Sequence, residues 1–274
     1  MALASMSEIF ERMARNGQEF WEVVLADDMD ERQVSREASI AKMLTTWQAM
    51  QDAADSYTGR KRSVSGLVGG DGMKMRQYTF RGCAMTGGYV SEVIAEALSM
   101  AESNACMRRI VAAPTAGACG VLPAVLLPLC KYEELTQHQL LEALYVAAGI
   151  GSIIAYKASI AGASGGCQAE IGTASAMAAG ALVALRGGEG EQIGHAVAMA
   201  LKNLMGLVCD PVAGLVEVPC VKRNVIGAVN AVSADGQTRK AMNRRKENAA
   251  MQYLLVGFTV WVITFFVIRH THRK

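Results

Sequence analysis

Aromatic side chains are scarce: Phe, Tyr and Trp make up 6% of the 274 residues, although 51% of the chain is hydrophobic. A core so poor in rings is filled by Ala, Gly, Val, Leu and Met, which suit closely packed helices better than sheets. Excess charge is missing as well. With 27 basic and 25 acidic residues the formal net charge is +2, which leaves no electrostatic case for a nucleic-acid partner. None of the seven cysteines stands in a compact zinc-ribbon or ferredoxin spacing. The opening MALASMSEIFERMARN meets charge within its first dozen residues and lacks the apolar run of a secretory leader. The expected setting is a reducing cytoplasm. There Cys83, Cys106, Cys119, Cys130, Cys167, Cys209 and Cys220 are thiols or metal ligands before they are disulfides.

What is present points to an all-α fold, long enough to bury a substantial core. Residues 5–58 read as two or three amphipathic helices, with Ile9, Phe10 and Met13 at helical spacing. Tyr57–Gly72 packs Ser and Gly too densely for a regular element, and is either a surface loop or the backbone lining of a polar ligand site. Ile110–Cys130 is free of charge, but Pro114, Pro123, Pro128, Gly117 and Gly120 rule out one regular helix. A buried loop feeding a short helix is expected. Ala143–Tyr156 and Ile171–Leu185 read as central helices, separated by a glycine-rich turn around Cys167, and Gln192–Leu207 as a helix leading to Cys209.

The expected organisation is a helical domain over residues 1–235 and an atypical basic and apolar tail over 236–274. Ala249–Ile268 is an uncharged run of 20 residues flanked by Arg244, Arg245 and Lys246 before it and Arg269, Arg273 and Lys274 after it. By length and basic ends it is a candidate membrane span. A frameshifted or truncated reading frame is the other reading of that tail.

Three cysteines stand apart by context: Cys167 in GASGGCQAEIG, Cys209 in VCDPVAG and Cys220 in VEVPC, with 41 residues between the first two and ten between the second pair. Glycines before Cys167 permit close backbone approach, and Pro211 and Pro219 stiffen the segment joining Cys209 to Cys220. These are either three structural thiols or a metal site. If they hold a cubane cluster, three thiolates leave one iron of four open, which suits Lewis-acid chemistry rather than electron transfer. APTAGACG at Ala113–Gly120 offers a Thr115 hydroxyl and a flexible backbone, either a nest for a carboxylate or a plain buried turn.

APTAGACGVLPAVL, GCQAEIGTASAMAAG and NLMGLVCDPVAGLVEVPCVKRN together resemble the alpha chain of iron–sulfur L-serine dehydratases, as do EFWEVVL and SGLVGGDG. The resemblance runs from about residue 5 to about residue 235. It implies an all-helical catalytic domain with a 4Fe–4S cluster held by Cys167, Cys209 and Cys220. It also implies a serine-binding loop at Thr115, Ala116 and Gly117, and Ser65 and Gly66 at the substrate site. The implied reaction is L-serine to pyruvate and ammonia. A beta subunit is the expected partner and possible source of the catalytic base, since His195 reads as structural and His138 as exposed.

The sequence departs from the family pattern at Ser164, where an acidic residue is usual, and after Ala234, where closing helices give way to the tail. A catalytically impaired member with a tail anchor is therefore an alternative. A pyridoxal-phosphate lyase would need a Schiff-base lysine beside a phosphate loop. Lys157 and Lys202, the lysines in apolar central segments, lack that context. A multi-span membrane protein is disfavoured because the other apolar runs are short or broken.

Overall fold

A computed structural model describes residues 3–215 and 217–238. The chain divides into two units, Met1–Asp235 and Gly236–Lys274. From residue 239 onward, including the candidate span Ala249–Ile268, the tail lies outside the described residues.

The N-terminal region forms three helices: α1 (Met6–Asn16), α2 (Phe20–Arg32) and α3 (Arg36–Asp55). Local signals set their ends. The Ser5 hydroxyl accepts from the Glu8 N–H (3.1 Å), and Ser35 does the same for Ala38 (3.2 Å). Gly17, at φ +65°, closes α1 in the left-handed region. The Ser/Gly-rich segment that follows is an irregular loop up to α4 (Asp71–Phe80). It is anchored from beneath by Glu102, a buried carboxylate of α5 (Gly87–Ala105). Glu102 accepts from the Asp71 N–H (2.7 Å) and from the Tyr57 hydroxyl.

The segment expected as a loop feeding a short helix is just that. A 3₁₀ turn at Ala116–Ala118 leads into α6 (Val121–Tyr132). A capping box between Thr136 and Gln139 starts α7 (Gln137–Lys157), and one between Glu189 and Gln192 starts α9 (Gly190–Asn203). Between them runs α8 (Gly162–Leu185), and residues 217–238 form α10. Among the described residues there is no strand, only an isolated bridge between Val212 and Leu215. Helix α7 is long and apolar enough to cross a membrane, but 61% of its apolar window is buried inside the protein.

The core centres on α8, whose residues Ile171–Val183 are buried without interruption. This helix is lined with Ala, Gly, Ser and Thr, so neighbours approach its backbone closely. A Cβ at Gly180 would collide with Ile150 of α7, and one at Gly227 of α10 would lie 2.7 Å from Ile171. Two expectations are corrected here. The glycine-rich turn expected around Cys167 narrows to a kink at Gly166, where two helical pieces meet. Helix α9 ends at Asn203, so Cys209 lies six residues beyond it on a loop. Pro219 lies inside α10, within its first turn, where a missing N–H costs nothing.

Ile150 is 1% exposed and fills the space that Gly180 leaves. Ile150→Ala is expected to lower unfolding free energy by about 2–5 kcal/mol. The check is a urea titration in which the midpoint falls while the slope is unchanged.

Candidate active site

Cys167 follows Gly166, whose backbone (φ 73°, ψ −178°) breaks α8. A side chain at Gly166 would need the left-handed φ and would meet Leu207 O and Val208 Cα at 3.3 Å. Glycine therefore lets the loop after α9 press against the start of the continuous part of α8. Gln168 closes the same seam. Its backbone N–H donates to Leu207 O (2.7 Å), and its side-chain oxygen accepts from the Gly206 N–H (2.8 Å). Cys209 is exposed on this loop, whereas Cys167 is buried. Cys220 arrives from a third element, the first turn of α10.

These three thiols line one cavity of about 390 Å³. Gly117, Glu170, Glu217 and Asn224 share its wall. Burial pushes the Cys220 thiol up to about 12, and the neighbouring Cys167, Glu170 and Cys209 push the same way, while the Arg223 guanidinium opposes them. Arg223 also reaches the other two cysteine segments. It donates to Cys167 Sγ (2.8 Å) and forms an ion pair with Asp210, beside Cys209, at 2.5 Å.

Asn224, 1% exposed, stitches the APTAGACG loop to α10. Its Nδ2 donates to Gly117 O (2.7 Å) and Cys220 O (2.8 Å), and its Oδ1 accepts from the Gly120 N–H (2.9 Å). Thr115 donates to Glu170 Oε1. Ala116 O accepts from Asn104 Nδ2 at 2.9 Å. A Cβ at Gly117 would lie 2.5–2.7 Å from the Glu170 carboxylate, so glycine is required there for space rather than for conformational freedom. Ser65 donates to Glu217 Oε2 (2.6 Å) and so meets the cavity through that carboxylate. Gly66 turns the same loop at φ +77°.

Glu170, Glu217, Arg223 and Asn224 carry no role in the reading of the sequence. The signal for three of them is helical spacing. Glu170 lies three residues after Cys167, and Arg223 and Asn224 lie three and four after Cys220, on the same helix faces as the thiols. Elsewhere, His138 and His195 are exposed and neither lines the cavity. Lys157 and Lys202 are likewise exposed and away from it. Ser164 is exposed and its hydroxyl lies 2.5 Å from that of Ser159.

The profile of the family described as "Serine dehydratase alpha chain" matches residues 15–251. The chain belongs to the serine dehydratase alpha-chain family. It is 42% identical over 213 residues to a Bacillus subtilis protein named "Probable L-serine dehydratase, alpha chain", covering 78% of this chain and 71% of that one. It is 36% identical over 235 residues to the L-serine dehydratase alpha chain of Peptoniphilus asaccharolyticus, covering 85% and 80% respectively. L-serine dehydratase 2 of Escherichia coli is 47% identical over 152 residues, 55% of this chain and 33% of that protein. The family match extends past residue 235, and the apolar run from Ala249 begins where the match ends.

Cys167, Cys209 and Cys220 line the same cavity, and soft sulfur donors are the ligand type that iron–sulfur clusters take. In the metal-free native chain, exposed Cys83 and Cys209 should react with iodoacetamide at least about tenfold faster than Cys119. Cys119 is buried, which pushes its thiol up to about 12. Peptide mass spectrometry over a time course checks the order.

Proposed function

We propose that this chain is the catalytic alpha subunit of an L-serine dehydratase, with a 4Fe–4S cluster held by Cys167, Cys209 and Cys220. The observation that carries this reading is the arrival of three thiols, from three separate elements, at one cavity that Gly117 and Glu170, the partner of Thr115, also line. The names of the relatives support L-serine as substrate and, through the words alpha chain, a beta subunit as partner. When bound, such a cluster, with three thiolates for four irons, would supply a Lewis acid that makes the substrate hydroxyl a leaving group.

The chain's own residues divide the work of binding. Because Thr115 gives its proton to ionised Glu170, the hydroxyl turns lone pairs towards substrate. That pairing suits the α-ammonium group of an amino acid, with Glu170 supplying the opposite charge. The substrate carboxylate falls to backbone N–H groups. Those of Ala118, Cys119 and Gly120 are already engaged by Thr115 O, Ala116 O and Asn224 Oδ1. The start of the loop, Thr115–Gly117, is what remains.

Loss of the α-proton and the β-hydroxyl releases water and leaves an enamine, which hydrolyses to pyruvate and ammonia. Glu217 is a poor base for that proton, since hydrogen bonds from Ser63 and Ser65 hold its carboxyl below the usual range. The base is assigned to the beta subunit.

Chain purified without oxygen should contain about four irons and as many sulfides, lost on Cys209→Ser, and should form pyruvate from L-serine once the beta chain is added. Iron-free wild-type protein that remains folded after reconstitution would overturn the cluster. Glu170→Gln should raise KM for L-serine about 10- to 100-fold, the cost of a charge-assisted contact. The same variant should weaken inhibition by L-glycerate, which has no ammonium group, far less. Equal losses for both ligands would remove Glu170 from ammonium recognition.

A further inference from the structure

Arg223 bonds to the segments of both Cys167 and Cys209, and it stands on the helix that carries Cys220. Its Nη1 lies 2.8 Å from Cys167 Sγ, and its Nη2 lies 2.5 Å from Asp210 Oδ1. Its own backbone is one turn after Cys220 in α10. The Arg223 side chain is only 12% exposed, while that of Asp210 is 61% exposed. A planar guanidinium presents its donors in a fixed fork, so meeting two acceptors at once fixes the separation between them.

We infer that Arg223 is a positioning residue that gauges the spacing of the three thiolate ligands and donates to a ligand sulfur in the loaded protein. The inference rests on the cluster reading above. Two consequences follow from its chemistry. The ligand set is held together before metal arrives, so fewer conformations must be lost on loading. A charge-assisted N–H···S bond also withdraws electron density from the sulfur, which raises the reduction potential of a cluster and slows its oxidation. Lysine keeps the charge but, lacking the fork, cannot hold both acceptors in fixed geometry. Asp210 orients the guanidinium from the outer side, and its removal leaves the bond to Cys167 possible.

The test uses the full chain, prepared without oxygen and reconstituted with ferrous iron and sulfide, as wild type, Arg223→Gln, Arg223→Lys and Asp210→Asn. Readouts are iron per chain, visible spectrum, reduction potential and the half-life of bleaching in air, with far-ultraviolet circular dichroism as a check on folding. Arg223→Gln should retain less than about half the wild-type iron, or bleach several-fold faster at a lower potential. Arg223→Lys should fall between the two, and Asp210→Asn should lose less than Arg223→Gln. Should Arg223→Gln fail to fold, the lysine and Asp210 variants carry the comparison through potential and bleaching rate. Variants that match wild type in iron content, potential and bleaching rate overturn the inference while leaving the cluster reading intact. Wild-type chain that takes up no iron overturns both.

Discussion

Close approach between helices is the constraint on which the rest of this structure depends, and α8 makes it possible. From Ile171 to Val183 that helix is buried throughout, with neighbours pressing on a surface of small side chains. Where Ile150 occupies the space at Gly180, a larger residue would drive α7 away. Where Gly227 lets α10 settle on Ile171, a side chain would lift the helix that carries Cys220, Arg223 and Asn224. The site is thus an outgrowth of core packing. The N-terminal end of α8 presents Cys167 and Glu170, and α10 is laid across it closely enough for Asn224 to bind Gly117 and Gly120.

Much of this was legible in the sequence. Few aromatics, many small residues and apolar positions at helical spacing imply helices, and α6, α7 and α8 end close to where the uncharged runs end, although their starts lie well away from the runs' starts. The three cysteines distinguished by their neighbours do meet at one cavity, and Gly117 with them. The misreadings share a cause. Gly and Pro near Cys167 and Cys220 point to loops in the sequence, whereas in the fold Gly166 is a kink between two helical pieces and Pro219 sits where a helix tolerates it. Once those cysteines were placed on loops, spacing of three and four residues carried no meaning, and Glu170, Arg223 and Asn224 went unseen. The glycines of APTAGACG were read for backbone freedom, yet their use is to leave room for Glu170 and Asn224. Only tertiary contacts reveal that distinction.

The polarity of the cavity follows from how few of its groups are left without assignment. Asn224 spends both ends of its amide on backbone, Glu217 is held by Ser65, and Arg223 is committed to Cys167 and Asp210. Glu170 receives one bond from Thr115 on one oxygen, and an ionised carboxylate accepts several more. On the proposed reading, a zwitterionic ligand would meet Glu170 on one side and backbone donors on the other, with the sulfur donors alongside. A neutral alcohol would satisfy neither end and would leave polar groups desolvated without partners.

If the proposed cluster is present, the wide spacing of the thiols also sets when it can form. Ligands two residues apart can capture a metal on a short local turn, but 41 residues, with the rest of α8 and all of α9, lie between Cys167 and Cys209. An unfolded chain would pay the entropy of closing that loop in addition to ordering the ligands. In the folded chain the Gly166 contact and the Gln168 bonds have already brought the two segments together. Asn224 has fixed Cys220 against the opposite wall. Loading then follows folding, and whatever loosens α8 against α10 weakens the ligand set without touching a cysteine. The core and the chemistry are in this sense one stability problem: the small residues that let helices close are the same ones that hold the sulfur atoms at a common cavity.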